Sequence, residues 1–270
     1  VYNDLKGTNS IQERKTLTHM DFSFRRSLRA ESVSYKYPNA QKAGIKEISF
    51  EVFCGERIGV VGGSGAGKST IADILLGLLQ PSVGRILVDD EEITETNVRS
   101  WQEKVGYVPQ DIFLIDASIA ENIALGSAPK EIDMDRRRGA SQVSQLEDFV
   151  DEQLPNGFQT LVGERGVRLS GGQKQRIGIA RALYRNADLI VFDEATSALD
   201  NLTERDVMRS IDDLPGDKTI FLIAHRLSTV RRCDRILVFD NGRCIGFDSW
   251  DNLVNDNEQF RKLVKSHDAA

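Results

Sequence analysis

The chain has 270 residues and a mass of 30.1 kDa, enough for one large domain or two modest ones with a substantial core. Apolar residues make up 40% and charged residues 28%, which excludes a disordered, collagen-like or coiled-coil chain. The net charge of −6 argues against a dedicated nucleic-acid binder, and no apolar run approaches the roughly 18 residues of a membrane-spanning helix.

Residues 1–30 hold six basic and three acidic side chains, a net of +3, so the other 240 residues carry −9. The first residue is Val1 and no signal peptide is visible, so the chain is expected to be a piece of a longer protein. A basic stretch at its start suits either a solvated tail or the cytoplasmic flank of a membrane helix. Residues 1–27 are polar, without a sustained strand period, and read as a linker with some helix.

From Arg29 the pattern changes. Val33, Tyr35 and Tyr37 alternate with polar residues until Pro38 breaks the strand, and Ile45 to Phe53 alternates again. RIGVV is a short buried strand ending in glycines, followed by the helical pattern IADILLGLL. Leu189–Phe192, Thr219–Ala224 and Ile236–Phe239 read as buried parallel strands. Asn241-Gly242 marks a hairpin that sets Cys244 opposite about position 239. That leaves Cys54, Cys233 and Cys244 as free thiols. Between about 127 and 187 the strands disappear. DRRRGASQVSQLEDFVDEQ and SGGQKQRIGIARALYR are helical there, separated by a PNGF turn. A mainly helical insert within an α/β core is the expectation.

Gly62-Gly63-Ser64-Gly65-Ala66-Gly67-Lys68-Ser69 matches G-x-x-x-x-G-K-[ST], which a random chain of this length carries roughly once in a hundred. It also has its required context, a strand before and a helix after. Glycines let backbone amides close around phosphate at a helix N-terminus. Lys68 supplies positive charge to the β- and γ-phosphates, and the Ser69 hydroxyl can ligate Mg²⁺.

Asp193 and Glu194 end the apolar strand LIVF. Alone they would read as a solvated turn. Beside a phosphate loop they divide the work: Asp193 serves the metal, and Glu194 polarises the attacking water. Leu169-Ser170-Gly171-Gly172-Gln173 opens a helix. Ser170 and Gln173 form an S-x-x-Q capping box. Capping does not explain two glycines in the first turn, each costing about 1 kcal/mol relative to Ala in a helix interior. Glycines there suit the close approach of an anion, so a second phosphate-binding helix end is expected about 100 residues from the first.

Together these motifs, over residues 29–265, resemble the nucleotide-binding domain of an ATP-binding cassette (ABC) transporter. The resemblance implies an α/β P-loop NTPase cassette at 29–270. It would have a RecA-like core sheet, an N-terminal antiparallel β-subdomain and an α-helical subdomain inserted at about 127–187. Residues 1–28 would be the linker after an upstream transmembrane domain. By resemblance Tyr37 stacks on adenine, although Tyr35 shares its strand face and spacing alone does not choose between them. Thr70 joins the phosphate loop. Gln110 matches the Q-loop glutamine that reaches Mg²⁺, Ser197-Ala198-Leu199-Asp200 the D-loop, and His225 the switch histidine that contacts γ-phosphate.

The resemblance further implies a head-to-tail dimer, with a second copy or a paralogous cassette, in which Ser170, Gly171, Gly172 and Gln173 serve the partner's ATP. Three classes follow. Gly163-Glu164-Arg165-Gly166 and ENIALG resemble exporters, which would place the domain at the cytoplasmic face of a membrane. An importer's separate ATPase subunit and a soluble non-transport ATPase are the alternatives. The wording from ENIALG to IDDL is similar to bacterial exporters of lipid-linked oligosaccharide or polysaccharide.

Overall fold

A computed structural model describes residues 22–38, 40, 42–195, 199–214, 218–224 and 226–268. Most of the expected linker, Ser197, Ala198 and His225 lie outside these residues.

The first two strands, β1 (Ser27–Tyr35) and β2 (Ile45–Phe53), pair antiparallel, with Val33 opposite Ile48 and Tyr35 opposite Ile45. β3 (Arg57–Gly62) leads through the glycine-rich loop into α1 (Lys68–Leu75). The pattern IADILLGLL suggests a longer helix. Its regular part stops at Leu75 because Gly77 turns left-handed, at φ 66°, and Trp101 Nε1–H donates to the Leu75 carbonyl at 2.7 Å. β4 (Val83–Val88) then returns to the free edge of β1, and the short β5 (Glu91–Glu92) completes a four-stranded antiparallel sheet.

The rest of the chain builds the core sheet and its covering helices. In order come α2 (Val98–Glu103), β6 (Val105–Val108), α3 (Ile119–Ile123), α4 (Met134–Val143), α5 (Glu147–Gln153) and α6 (Gly171–Tyr184). β7 (Leu189–Asp193), α7 (Asn201–Asp212), β8 (Thr219–Ile223) and α8 (Leu227–Val230) follow. β9 (Arg235–Asp240), β10 (Arg243–Asp248), α9 (Trp250–Asp256) and α10 (Glu258–Asp268) close the chain. The six-stranded sheet has the order β10-β9-β3-β8-β7-β6, parallel except for the β9–β10 hairpin, in which Cys244 faces Phe239.

Buried parallel strands read as unbroken apolar runs because alternate residues enter different cores. Leu189 and Val191 join the cluster shared with the antiparallel sheet and α1, while Ile190 and Phe192 join the cluster under α7–α10. A third cluster, with Ile119, Leu146, Val150 and Ile177 at its centre, belongs to the helices between β6 and β7. The helical stretch 135–153 is two helices rather than one. Gln145 adopts φ 55° after the α4 C-cap, and the turn drives Leu146 into this third cluster with no exposure. No helix among the described residues is long and apolar enough to cross a membrane.

Candidate active site

The glycine-rich loop is shaped first by packing and then by its ligand. Gly62, at φ 153°, lies so close to β9 that a Cβ would stand 2.3 Å from the Phe239 carbonyl oxygen. Gly65, at φ 70°, has nothing within 4 Å of its Cβ position and borders the open side of the loop. The N-cap of α1 is Gly67, with no side-chain cap and no acidic residue in the first turn. The orphan amides and positive dipole end of this helix are therefore left for an external anion.

Lys68 is the first residue of α1 and is buried. Its Nζ donates to the carbonyls of Gly62 at 2.8 Å and Gly63 at 3.1 Å. An ammonium has three donors, so one remains for a phosphate oxygen. Burial lowers the Lys68 pKa, and the charges of Glu194 and then Asp193 act against that shift. Tyr37, Gly44, Ser64, Gly65, Lys68, Ser69, Thr70 and Glu194 border one cleft of about 290 Å³.

Between the two tyrosines left open by spacing, only Tyr37 borders the cleft. It lies just beyond β1, and its hydroxyl shares a 3.1 Å hydrogen bond with Thr70 Oγ1. Tyr35 packs on the core and meets the Tyr37 ring edge-on, with centroids 4.9 Å apart. Gly44 is a lining residue that sequence reasoning missed. A Cβ there would approach the Tyr37 ring to 3.1 Å and Thr70 Oγ1 to 3.3 Å, a crowding that no local motif announces.

The carboxylates arrive on β7. Asp193 ends the strand, and its pKa is raised by burial first and by the charge of Glu194 second. The Tyr107 hydroxyl on β6 donates to Asp193 Oδ2 at 3.4 Å, and burial together with Asp193 pushes this phenol up to about 12. Tyr107 was also missed, since an aromatic in a short strand carries no site signal. Glu194 takes a left-handed φ of 51°, and its amide donates to the Ile223 carbonyl at 2.9 Å. Such strain costs on the order of 1 kcal/mol and turns the chain sharply after Asp193. Glu194 therefore reaches the phosphate-loop cleft, while Asp193 stays half-buried at the strand end. Ser69 and Glu194 border the same cleft, and Asp193 adjoins Glu194 in the chain; hydroxyl and carboxylate oxygens of this kind are donors that fit a hard divalent cation. Among the described residues, no group of three or more His, Cys, Asp or Glu is placed to hold a metal ion by itself. Gln110 is exposed just beyond β6.

The second helix end stands apart. Ser170 caps α6 through a capping box: Ser170 Oγ accepts from the Gln173 amide at 3.2 Å, and Gln173 Oε1 accepts from the Ser170 amide at 2.8 Å. Ser170 and Gly171 are exposed, and neither they nor Gly172 nor Gln173 border the phosphate-loop cleft. Asp200 caps α7, accepting from the amides of Leu202 and Thr203 and from the Thr203 hydroxyl.

A phosphate loop on a mixed core sheet, flanked by an antiparallel sheet and a helical insert, defines a P-loop nucleotide-binding cassette. The family model described as ABC transporter matches residues 45–197, and the chain belongs to that family as its nucleotide-binding domain. It is 40% identical over 87% of its length to the beta-(1→2)glucan export ATP-binding/permease protein NdvA of Rhizobium meliloti, covering 39% of that protein. It is 39% identical over 87% of its length to an ATP-dependent lipid A-core flippase of Methylobacillus flagellatus, covering 40% of it. A bacterial Atm1-family ABC exporter solved with ATP bound superposes with a TM-score of 0.85 at 38% identity, over 92% of this chain and 43% of that one. The chain thus spans about two fifths of these curated relatives.

Proposed function

We propose that this domain hydrolyses MgATP as half of a head-to-tail dimer and drives export or lipid flipping by a membrane domain upstream in the same protein. The carrying observation is that Glu194 and the phosphate loop border one cleft while none of Ser170, Gly171, Gly172 and Gln173 lines it. Each chain then supplies half of two sites: the loop amides, Lys68 and Tyr37 hold one ATP, and the serine–glycine helix end closes over the partner's.

In this cleft Lys68 balances charge on the β- and γ-phosphates, and Tyr37 packs on the adenine. Ser69, Asp193 and Gln110 would hold Mg²⁺, which supplies Lewis-acid charge neutralisation on the phosphates. Glu194 polarises the attacking water, His225 contacts the γ-phosphate, and Asp200 lies at the D-loop. Residues 29–270 form the cassette in this account, with a helical arm at about 127–187 and a linker over 1–28.

Exposed Leu161 and Val167 flank the Gly163–Gly166 turn and support docking of a membrane domain at that face. The chain would then sit at the cytoplasmic side of a membrane. The names of the two curated relatives support a saccharide-bearing cargo, as a glucan or a glycolipid.

Glu194→Gln keeps shape but removes the charge that polarises water. Hydrolysis should slow by about 10²–10⁴-fold, the usual worth of a positioned acid–base group. MgATP should still bind and hold two chains together. Phosphate release and gel filtration with MgATP are the measurements. Wild-type turnover, or a monomer at saturating MgATP, would remove Glu194 from this role.

A further inference from the structure

Glu204 is a buried carboxylate that the chemistry so far leaves unused. It lies one turn into α7, four residues after the Asp200 cap, and is only 9% exposed. Both of its oxygens bond across to the α8 turn. Arg226 Nη1 donates to Oε2 at 2.6 Å, and the Thr229 hydroxyl donates to Oε1 at 3.3 Å. Arg226 directly follows His225 in the chain and stands at the N-cap of α8 without a capping side-chain bond.

Helix α8 has four residues, too few to hold its own geometry, so tertiary contacts must orient it. Apolar contacts supply part of this: Leu227 and Val230 are buried. They are non-directional, whereas the bonds to Glu204 fix angle and distance. A cavity of about 190 Å³ is bordered by both Glu194 and the Glu204–Arg226–Thr229 cluster. The cluster also borders a second cleft of about 410 Å³, so it lines both the cleft that Glu194 borders and its neighbour. The Arg226 side chain is 53% exposed, and a half-exposed ion pair adds little net stability. Its contribution is geometric.

We infer that Glu204 is a positioning residue for hydrolysis: it clamps α7, the helix capped by Asp200, to the start of α8, and so keeps the chain segment that follows His225 in sequence in register with Glu194. This role rests on the proposed functions of Glu194 and His225.

The test compares Glu204→Gln, Arg226→Met, their double variant and Arg226→Lys in the same chain, with Glu194→Gln as reference. Turnover is measured per nucleotide-binding site, with sites counted by titration with a fluorescent ATP analogue. Misplacement of reacting groups by about 1 Å can cost up to ~10²-fold, so Glu204→Gln and Arg226→Met should each lower kcat roughly 10- to 100-fold. Nucleotide affinity should stay within about two-fold, because neither residue borders the phosphate-loop cleft. The double variant should be no worse than the singles, since both break one unit. Arg226→Lys should recover much of the loss. If Glu204→Gln does not fold, Arg226→Met, altered at a half-exposed side chain, carries the same test.

Wild-type kcat per site in either single variant, additive losses in the double variant, or affinity falling in step with kcat would each overturn the clamp. If Glu194→Gln loses hydrolysis while Glu204→Gln does not, the clamp alone is wrong. If Glu194→Gln hydrolyses normally, the catalytic assignment fails and the clamp falls with it.

Discussion

At the residue scale, the phosphate-loop glycines divide into two kinds. Gly62 is required by the fold, because a side chain there would collide with the backbone of β9. Gly65 meets no such wall, so its absent side chain leaves room for a ligand. The same distinction separates the tyrosines. Tyr37→Ala should weaken binding of an adenine nucleotide by about 1–3 kcal/mol, the range for a base stacked on an aromatic ring. Binding of inorganic triphosphate should change little, since Lys68 and the loop amides are untouched. Tyr35→Ala removes packing against the core and should lower thermal stability more than adenine affinity. Competition titrations with ATP and with triphosphate, beside melting curves, separate the two. Equal losses for both ligands in Tyr37→Ala would contradict stacking.

At the element scale, helix ends carry structural duties as well as the proposed binding ones. The capping box of Ser170 and Gln173 uses their oxygens as acceptors within α6, leaving their donors for a ligand, and Asp200 caps α7. Asp200 has a pKa held below the usual carboxylate value, by the Thr203 amide first and its hydroxyl second. A carboxylate depressed in the folded state stabilises above its unfolded value, and that stabilisation disappears as pH falls through the folded one. Asp200→Ala should therefore lower the melting temperature at pH 7. The gap to wild type should begin to close below about pH 4. A gap that is constant down to pH 2 would show that the charge does not stabilise the cap.

The limits of local pattern also lie at this scale. β1, β2, β3, β7, β8 and β9 announce themselves by alternation or short apolar runs. β4 and β6 do not: β4 is exposed for half its length, at Val83, Gly84 and Arg85, without an alternating pattern, and β6 has only four residues. Both exist because an edge of a sheet was waiting for them. The break between α4 and α5 has the same origin. A helical pattern continues through Ser144 and Gln145, and the third core cluster bends it.

At the scale of the whole molecule, one cleft and one exposed helix end form an incomplete pair. Association must overcome lost translational and rotational freedom, and in the proposed dimer bound ATP is what joins the two faces. The wild-type chain should be mainly monomeric without nucleotide and dimerise transiently with MgATP. Light scattering with and without MgATP measures this. A stable dimer unaffected by ATP would place the contact elsewhere. The three apolar clusters bear on the same step. Helix α6, which carries the serine–glycine end, packs on two of them: Ile177 and Ala180 enter the third cluster, Ile179 and Ala182 the cluster of the core sheet, so that end is held against both.

The family, the phosphate loop and the carboxylate pair were legible in the chain itself, because each is contiguous and its chemistry depends on local spacing. Gly62 to Ser69 needs only a strand and a helix on either side, and Asp193-Glu194 needs only a strand that ends. The tertiary structure decided what depends on residues far apart in sequence. It placed Tyr37 rather than Tyr35 over the cleft, through a bond to Thr70, and it set Tyr107 against Asp193. It also brought Glu204 to Arg226 across 22 residues. A side chain's hydrogen-bond partner is chosen by which elements pack together, and no local periodicity encodes that choice.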